Sequence, residues 1–481
     1  MSTPPDVIVG AGPAGLTAAW ELVARGVRPV IVEADPVYVG GLSRTVEHGG
    51  NRFDIGGHRF FTKSAEIAAQ WDEMLPGEFL TVPRLSRIYF DGAFYPYPVQ
   101  IGPTLRQLGL RRGLRIVGSY LRARVRPRSE VTFEDWVVNR FGHRLYELFF
   151  RTYTEKVWGL PCDEISKDFA AQRIRGLSLF ELVTAAVRPR RSRPKTLIEQ
   201  FRYPRLGPGQ LWEAVADQVV GSGARLFRDW RVGRIEHRDG RVVAVESTNG
   251  ERVECRDLYT TMSLRDLVAA LSPAPPADVL AAAAGLRFRD FLTVAVVVND
   301  PAVFPDTWIY IHDPGVGVGR IQNYRNWSTA MVGDDTTTCL GLEYFCNRDD
   351  GVWSLSDDAL GKTAVEELAV LGLVDPERCL DTTVIRMVDA YPVYDEHHRA
   401  NRDVIKRWLA ANLTNLYPAG RAGLHNYNSQ DHAMTTASMA VANAREGTDH
   451  DPWTVNTDQE YAEAGPTVER LVAQRPAAQD A

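Results

Sequence analysis

Three glycines near the N-terminus have a spacing that can do chemistry. Gly10, Gly12 and Gly15 follow the apolar run DVIV and open a helical pattern that ends at Gly26. The first glycine permits a tight turn, the second lets a pyrophosphate approach the backbone, and the third lets the helix pack on the strand. Glu33 ends the next predicted strand, where a carboxylate can accept hydrogen bonds from an adenosine ribose. The pattern predicts a dinucleotide site; the alternative is a glycine-rich turn in an α/β unit that binds nothing.

A second glycine turn lies far from the first, in the stretch GRAGLHNYNSQDHAM at residues 420–434. Gly420 precedes a fixed positive charge, Arg421, and a phenol follows six residues later at Tyr427. Asp431 then begins an Ala- and Thr-rich helical pattern. Turns this tight serve either a ligand or packing, and the residues alone leave both open.

Two further features favour FAD over NAD. The stretch GGLSRT adds a second glycine pair, Gly40 and Gly41, and places Arg44 beside the pyrophosphate. Residues 225–264 alternate like a hairpin and then enter a small-residue turn, with Val232 offering its backbone to adenine. Both features resemble those of glutathione-reductase-like flavoproteins, which include amine oxidases, protoporphyrinogen oxidases and UDP-galactopyranose mutases. The predicted cofactor is therefore FAD.

Six short motifs, in the same order along the chain, resemble those of UDP-galactopyranose mutases. They are GGHRFFTK, FRTYTEKVWGL with the arginines that follow it, GRIQNYRNW, GLEYFC, DAYPVY and the 420–434 stretch. The resemblance extends from Asp6 to about Ala440, and the chain is identified as a member of the mutase-like branch of FAD proteins. It departs from the family at Gly57, where the mutases carry Pro, and at Asn323, where they carry Glu.

The resemblance implies roles for individual residues. Those on catalytic or substrate-binding positions are Arg173 or its neighbour Arg175, Arg320, Tyr391, Tyr427, His58 and Trp158. The flavin-binding positions include the glycines, Glu33, Arg44 and Val232 named above. The resemblance adds Gly57, His58, Gly420, Arg421, Asp431 and Met434. His58 is expected to position the flavin ring rather than to act as a general base. Each role has a structural alternative. Arg173 and Arg320 could be ordinary ion-paired arginines, Tyr391 a packing residue and Trp158 a core residue.

The function that the resemblance implies is a redox-neutral pyranose/furanose mutase acting on a nucleotide-diphosphate sugar. In that family N5 of reduced FAD attacks the anomeric carbon, and fixed guanidinium groups and phenols stabilise the departing diphosphate. NADH or NADPH can serve as the reductant. Two alternatives stay open: an FAD-dependent oxidase or dehydrogenase of the amine oxidase type acting on a small molecule or sugar, and a flavin-binding protein without catalysis.

These residues need an α/β framework to bring them together. We expect a Rossmann-like FAD-binding domain with an inserted helical domain and a large antiparallel β-sheet substrate domain. The expected boundaries are 1–75, 203–262 and 400–450 for the discontinuous FAD domain, 100–202 for the helical insertion, 76–99 and 263–399 for the substrate domain, and 451–481 for a polar tail.

Local patterns fill in parts of that framework. An Asp-Gly turn in SRIYFDGAFYPYPV predicts a hairpin, and alternation predicts strands at FLTVAVVV, TWIYIH, RIQNY and CLGLEYFC and a helix over 355–372. Two basic stretches, 106–128 and 188–195, are expected to be a solvated helix face and a surface loop. The second stretch has an alternative role as a lid that meets an anionic substrate.

Composition limits the classes of function. A net charge of −6 with 44% hydrophobic residues gives no global drive toward nucleic acid or an anionic membrane. Five scattered cysteines are typical of reduced thiols, and neither they nor the histidines have a metal-ligand spacing. No signal peptide or membrane-spanning stretch is apparent. We expect a cytoplasmic enzyme with a small-molecule substrate and no metal; the oligomeric state is not set by the sequence.

Overall fold

A parallel sheet carries the first glycine turn. The computed structural model describes residues 3–97, 101–174 and 200–456. All three residues of the strand Val7–Val9 are buried, as expected for a strand covered on both faces. The sheet has five parallel strands in the order Leu416–Pro418, Leu258–Thr260, Val7–Val9, Val30–Val32 and Arg225–Phe227. This arrangement confirms the predicted α/β class.

Three helices cover one hydrophobic cluster beside this sheet. Their bounds are Pro13–Ala24, Pro208–Gly221 and Gln430–Glu446. Leu16, Trp212 and Val441 come from the three helices and are fully buried in the cluster. Burial of a side chain of this size stabilises the fold by about 1.5–3 kcal/mol. The helix that follows each glycine turn is therefore fixed by packing, independently of a ligand.

A separate four-stranded sheet begins with the strand that follows Arg225–Phe227 along the chain. The strands Val232–Arg238 and Arg241–Ser247 form the predicted hairpin around Asp239 and Gly240, which both have positive φ. The outer strands are Arg252–Glu254, which is antiparallel to its neighbour, and Leu271–Ser272, which is parallel.

A seven-stranded sheet forms the third layer. Its strands, in spatial order, are Cys379–Pro392, Phe288–Val298, Thr338–Cys346, Arg320–Asn323, Trp308–Ile311, Ser86–Phe90 and Ala93–Pro96. The last two form the hairpin predicted from the Asp-Gly turn. The sheet is not fully antiparallel as expected, because Trp308–Ile311 and Ser86–Phe90 pair in parallel. The chain reaches this edge twice, through segments far apart in sequence, and local alternation carries no information on such a pairing.

Helices dominate the region after this hairpin. They are Ile101–Val125, which is kinked at Gly109 where φ is +78°, and Phe133–Phe141, His143–Tyr146, Thr152–Trp158 and Lys167–Ile174. The helical prediction over 100–202 is wrong at its end, where Gln200–Pro204 is a strand paired with Phe79–Pro83. The apolar side chains of Phe201 and Tyr203 are buried in this pairing. Arg175 and the basic stretch 188–195 lie outside the described residues.

The remaining helices and strands complete the three layers. They are the strands Thr45–His48 and Asn51–Asp54 and the helices Ala65–Met74, Leu264–Ala270, Ala277–Ala284, Asp357–Val370, His398–Asn412 and Gly420–Gly423. Asp357–Val370 is the helix expected over 355–372. Residues 451–456, expected as the start of a polar tail, instead pack on the protein: Val455 is buried, and its carbonyl accepts a hydrogen bond from the Asn426 amide at 2.7 Å.

Candidate active site

One large cavity joins the two glycine turns. It has a volume of about 850 Å³, within the range of roughly 300–1,000 Å³ typical of ligand sites. The predicted site residues that line it are Gly10, Gly12, Glu33, Gly41, Gly57, His58, Val232, Arg320, Tyr391, Gly420, Arg421 and Tyr427. The predicted residues that do not line it are Gly15, Gly40, Arg44, Trp158, Asp431 and Met434.

The first glycine turn forms a cradle for a diphosphate. Gly10 has φ +94°, and a Cβ at Gly15 would lie 1.8 Å from the Gly10 carbonyl oxygen, so both positions require glycine. A Cβ at Gly12 would point at Gly41, 3.8 Å from its Cα, and would fill the gap between the two glycine segments. Exposed backbone on both sides of this gap suits a pyrophosphate. The residues present therefore fit a bound dinucleotide.

Glu33 lines the cavity beside this cradle, and Arg44 lies outside it. The Glu33 carboxylate accepts hydrogen bonds from the backbone N–H of Ala11 at 2.6 Å and of Asp35 at 2.8 Å. Burial raises its pKa, although these hydrogen bonds act in the opposite direction. Arg44, expected beside the pyrophosphate, forms an ion pair with Asp35 instead. Glu33 thus faces the cavity, and Arg44 braces the loop that follows its strand.

His58 lies on the cavity wall as a neutral imidazole. Its Nε2–H donates a hydrogen bond to the Ile55 carbonyl at 2.8 Å. Burial lowers the pKa of His58 to about 4, so the ring is uncharged at neutral pH. The preceding residue, Gly57, packs directly on Trp308, because a Cβ there would lie 2.0 Å from Cζ3 of that indole. This contact explains why a larger residue, such as the Pro of the mutases, is absent at position 57.

The second glycine turn brings a helix N-terminus to the cavity. The Gly420 N–H donates to Oγ1 of Thr436 at 2.9 Å, and Arg421 donates to the carbonyls of Asn428 at 2.8 Å and Ala390 at 3.3 Å. The helix Gln430–Glu446 begins at this wall, where its partial positive charge can stabilise an anionic ligand.

Asp431 and Met434, also on this helix, face away from the cavity. The Asp431 carboxylate accepts a hydrogen bond from the Ser429 hydroxyl at the helix start. Met434 is fully buried in the core, where its sulfur accepts a hydrogen bond from Nε1 of Trp71 at 3.1 Å. Both residues support the helix rather than contact the cavity.

A buried arginine and two phenols converge on another part of the wall. Arg320 donates from Nη2 to the Tyr391 hydroxyl at 2.9 Å and from Nε to Glu343, which is fully buried. Burial, the largest single effect, would lower the pKa of Arg320, but the Glu343 carboxylate and the surrounding tyrosines together hold that pKa above its ordinary value. Burial raises the pKa of Tyr391 to about 12, so its hydroxyl keeps its proton. Tyr427 stacks on Tyr391, with 5.6 Å between ring centroids.

Trp158 supports these phenols from behind. Its ring meets Tyr391 and Tyr427 edge-on at 6.2 and 5.8 Å, and it is buried in the hydrophobic core. Lys156, two residues earlier in the same motif, donates to the carbonyls of Asp313, Val316 and Val318 at 2.8–3.1 Å. The side chain of Arg173, on the helix Lys167–Ile174, lies outside the described part of the chain.

Several residues of the wall were not predicted. Arg59, Trp308, Tyr310 and Asn456 line the cavity, and Asn456 donates to the Tyr427 carbonyl at 2.8 Å. Nε of Arg59 and Nε1 of Trp308 are buried N–H groups without an acceptor among the described residues. Arg59 follows His58 in GGHRFFTK, so its position next to a predicted flavin contact was the available signal. No pattern marked Trp308 or Asn456.

Comparison with known proteins places the chain in a family. The sequence profile of the family described as "Flavin containing amine oxidoreductase" matches residues 13–441. The phytoene dehydrogenase of Streptomyces griseus is 26% identical over 292 residues, which are 54% of this chain and 54% of that protein. The chain thus spans about half the length of this curated relative.

Solved structures share the fold over nearly the whole chain. A crystal structure of reduced UDP-galactopyranose mutase aligns with a TM-score of 0.82 at 22% identity, covering 95% of this chain and 99% of the other. Wild-type putrescine oxidase bound to putrescine aligns with a TM-score of 0.62 at 17% identity, covering 92% and 98%.

Two conclusions follow from the cradle and the family match together. The cofactor is FAD, as predicted, and the fold is the α/β flavoprotein fold with a separate sheet layer.

Within the described residues, every helix is too short or too polar to cross a lipid bilayer.

Proposed function

The chain belongs to the family of flavin containing amine oxidoreductases, and within it we propose a redox-neutral pyranose/furanose mutase acting on a nucleotide-diphosphate sugar. One observation carries this proposal: Arg320, Tyr391 and Tyr427 meet on the wall of the cavity that also contains the FAD cradle. A guanidinium and two phenols form a set of donors suited to the oxygens of a diphosphate.

The charge of the wall supports an anionic substrate. Arg59, Arg320 and Arg421 line the cavity, and among the described residues only Arg320 of these three has a carboxylate within 4 Å. Two acidic residues of the same wall, Asp266 and Asp389, both contact Arg265. A protonated amine would be repelled by guanidinium groups that no described carboxylate neutralises, and a polyene would offer them no negative charge.

Each side chain of the cavity wall has its own role in the proposed reaction. Reduced FAD, when bound, supplies the nucleophile for the anomeric carbon. Arg320 and the Tyr391 hydroxyl stabilise the negative charge that develops on the departing diphosphate, because both donors are held in place before the reaction. Neutral His58 fixes the wall beside the flavin without adding charge. The similarity to reduced UDP-galactopyranose mutase over 95% of the chain supports the same assignment.

A second candidate is an FAD-dependent oxidase or dehydrogenase. Similarity to a phytoene dehydrogenase and to putrescine oxidase favours it. The stacked Tyr391 and Tyr427 rings also offer an aromatic surface to an organic substrate.

An anaerobic screen of nucleotide sugars separates the two candidates. The holoprotein, reduced with dithionite or NAD(P)H, is incubated with UDP- and dTDP-sugars, and the products are separated by chromatography. We expect a furanose isomer with the reduced protein and no product with the oxidised protein. Hydrogen peroxide formation with an amine or polyene, in the absence of any isomer, would contradict the mutase proposal and support the oxidase.

A further inference from the structure

The helix Ile101–Val125 exposes an apolar stripe. Leu114, Val117, Leu121 and Val125 are 64%, 45%, 57% and 79% exposed, and their spacing of three and four residues places them on one side of the helix. Ile116, on the opposite side, is buried in the core. Four large apolar side chains in one row on the solvent side are unusual, because single exposed ones are the norm.

Arginines flank this stripe, and few of their charges are neutralised. Arg111, Arg115, Arg122 and Arg124 are all exposed. Residues 101–129 contain eight arginines and no acidic residue. In the described part of the chain, none of these four arginines has a carboxylate within 4 Å, whereas Arg112 pairs with Asp91 at 3.2 Å. Arg128, at the end of this segment, also pairs with Glu134 at 2.6 Å. The stripe is therefore an apolar row flanked by four arginines whose charge no nearby described carboxylate neutralises.

We propose that this surface, defined by Leu114, Val117, Leu121 and Val125 with their flanking arginines, docks the protein on an anionic lipid membrane. The apolar row enters the headgroup region and the guanidinium groups remain at the level of the lipid phosphates and carboxylates. Long arginine side chains suit this geometry, because their stems lie along apolar surface while the charged ends reach the headgroups.

Charge complementarity favours an anionic membrane over a second copy of the chain as the partner of this surface. A two-fold symmetric contact through this helix would bring its arginines against the same arginines of the partner. The whole chain carries a net charge of −6, which produces no global attraction to an anionic surface. The charge is instead local, and it coincides with the exposed apolar row. The inference is independent of the reaction that the cavity catalyses.

Vesicle co-sedimentation of the full-length holoprotein tests the proposal. We expect binding to vesicles that contain phosphatidylserine in phosphatidylcholine, little binding to phosphatidylcholine alone, and release at high salt. Leu121→Ser with Val125→Ser, and separately Arg115→Gln with Arg122→Gln, should each lower the partition constant about tenfold or more. All four side chains are exposed, so the variants should keep the flavin absorbance spectrum and thermal unfolding of the parent.

Val370→Ser provides the matched control. Val370 is 72% exposed on the helix Asp357–Val370, away from any basic stretch, and its substitution should leave vesicle binding unchanged. Equal sedimentation with and without phosphatidylserine, or stripe variants that bind like the parent, would overturn the proposal. It would also be overturned if the parent showed no vesicle binding but a concentration-dependent dimer that Leu121→Ser with Val125→Ser abolishes, since a second copy would then be the occupant.

Discussion

At the scale of single residues, the site depends on one buried charge pair. Glu343 is fully buried and accepts hydrogen bonds from Arg320 and Gln322, so its carboxylate fixes the direction of the guanidinium. Removing one member of such a pair leaves an uncompensated buried charge and costs about 3–5 kcal/mol of stability. Any test of Arg320 in catalysis has to separate that structural cost from the loss of substrate contact.

A double substitution makes that separation. Arg320→Gln alone should lower both the melting temperature and kcat/KM. Arg320→Gln with Glu343→Gln should recover most of the stability, while kcat/KM for the isomerisation stays down by roughly 10²–10³, equivalent to about 2–4 kcal/mol of transition-state stabilisation. Thermal unfolding and steady-state kinetics are measured on the same preparations.

The control for this prediction lies in the same sheet. Arg87 pairs with fully buried Asp306, and neither residue lines the cavity. Arg87→Gln with Asp306→Asn should leave kcat/KM within a few-fold of the parent. Full activity in the Arg320–Glu343 double variant would show that the guanidinium is structural and would refute its role on the diphosphate.

The two phenols allow a test that removes one atom at a time. Tyr391→Phe and Tyr427→Phe each keep the ring stack but delete a hydroxyl. Each should lower kcat/KM, because a donor to the diphosphate is lost, with flavin content unchanged. Tyr89→Phe, a buried tyrosine in a cluster away from the cavity, serves as the comparison and should behave like the parent. Wild-type kinetics in both cavity variants would argue that these rings only pack.

At the scale of secondary-structure elements, Lys156 holds a helix against a loop. Its ammonium group donates to three carbonyls between residues 313 and 318, and it ties the helix Thr152–Trp158 to the seven-stranded sheet. Trp158, at the end of this helix, backs the two phenols of the cavity. We therefore propose that Lys156 positions Trp158 behind the two phenols.

Replacing Lys156 by Met should loosen that attachment. The three carbonyls lose their donor, so we expect a lower melting temperature and a lower kcat, since Trp158 no longer fixes the phenols. Lys362→Met is the control, because Lys362 is exposed on the helix Asp357–Val370 and its ammonium group lies 3.8 Å from Glu366 on the same helix. A Lys156→Met protein with unchanged activity and unchanged Trp158 fluorescence would contradict the positioning role.

Asp54 ties a strand pair to the core and makes stability depend on pH. It is fully buried, and it accepts hydrogen bonds from Thr45 at 2.9 Å and from Tyr203 at 2.5 Å. Burial raises the pKa of Asp54 to about 7. The folded state therefore binds a proton that the unfolded state releases near its ordinary pKa of about 4, so this group's contribution to stability falls as pH rises from about 4 through 7.

Asp54→Asn should remove that contribution. The amide stays neutral at all pH values and its oxygen can still accept a hydrogen bond, so the free energy of unfolding should change less between pH 5 and 8 than in the parent. Chemical denaturation across this range measures the difference. Parallel pH profiles for variant and parent would show that Asp54 does not titrate in this interval.

At the scale of the whole molecule, features encoded within one short stretch of sequence were predictable, whereas contacts between distant segments were not. The glycine cradle, the Glu33 strand and the hairpin at Asp91 are each encoded within a short stretch, so spacing was enough to predict them. Trp308 and Asn456 reach the cavity only because three layers meet there, and no local pattern encodes that meeting.

The same reasoning explains the errors about element type and packing. Gln200–Pro204 becomes a strand because Phe79–Pro83 offers it a partner, although the preceding residues favour a helix. The segment 451–456 was expected to begin a polar tail, yet the hydrogen bond from the Asn426 amide to the Val455 carbonyl holds it on the protein. In both places tertiary contacts override the local preference.

The arrangement of layers brings the cofactor cradle and the candidate substrate-binding residues to one cavity. The parallel sheet supplies the FAD cradle, the seven-stranded sheet supplies Arg320 and Tyr391, and the glycine turn at residues 420–423 joins them at one cavity. In the proposed isomerisation the pyranose and the furanose have the same oxidation state, so reduced flavin is regenerated at the end of each turnover. Catalysis should therefore consume no reducing equivalents.

Counting turnovers after a single reduction tests that claim most directly. The holoprotein is reduced anaerobically with one equivalent of dithionite per flavin, the active nucleotide sugar is added in large excess, and product and flavin absorbance are followed together. We predict many product molecules per flavin, with the flavin still reduced at the end. Product limited to one molecule per reducing equivalent, with the flavin returning to its oxidised spectrum, would contradict the redox-neutral mechanism.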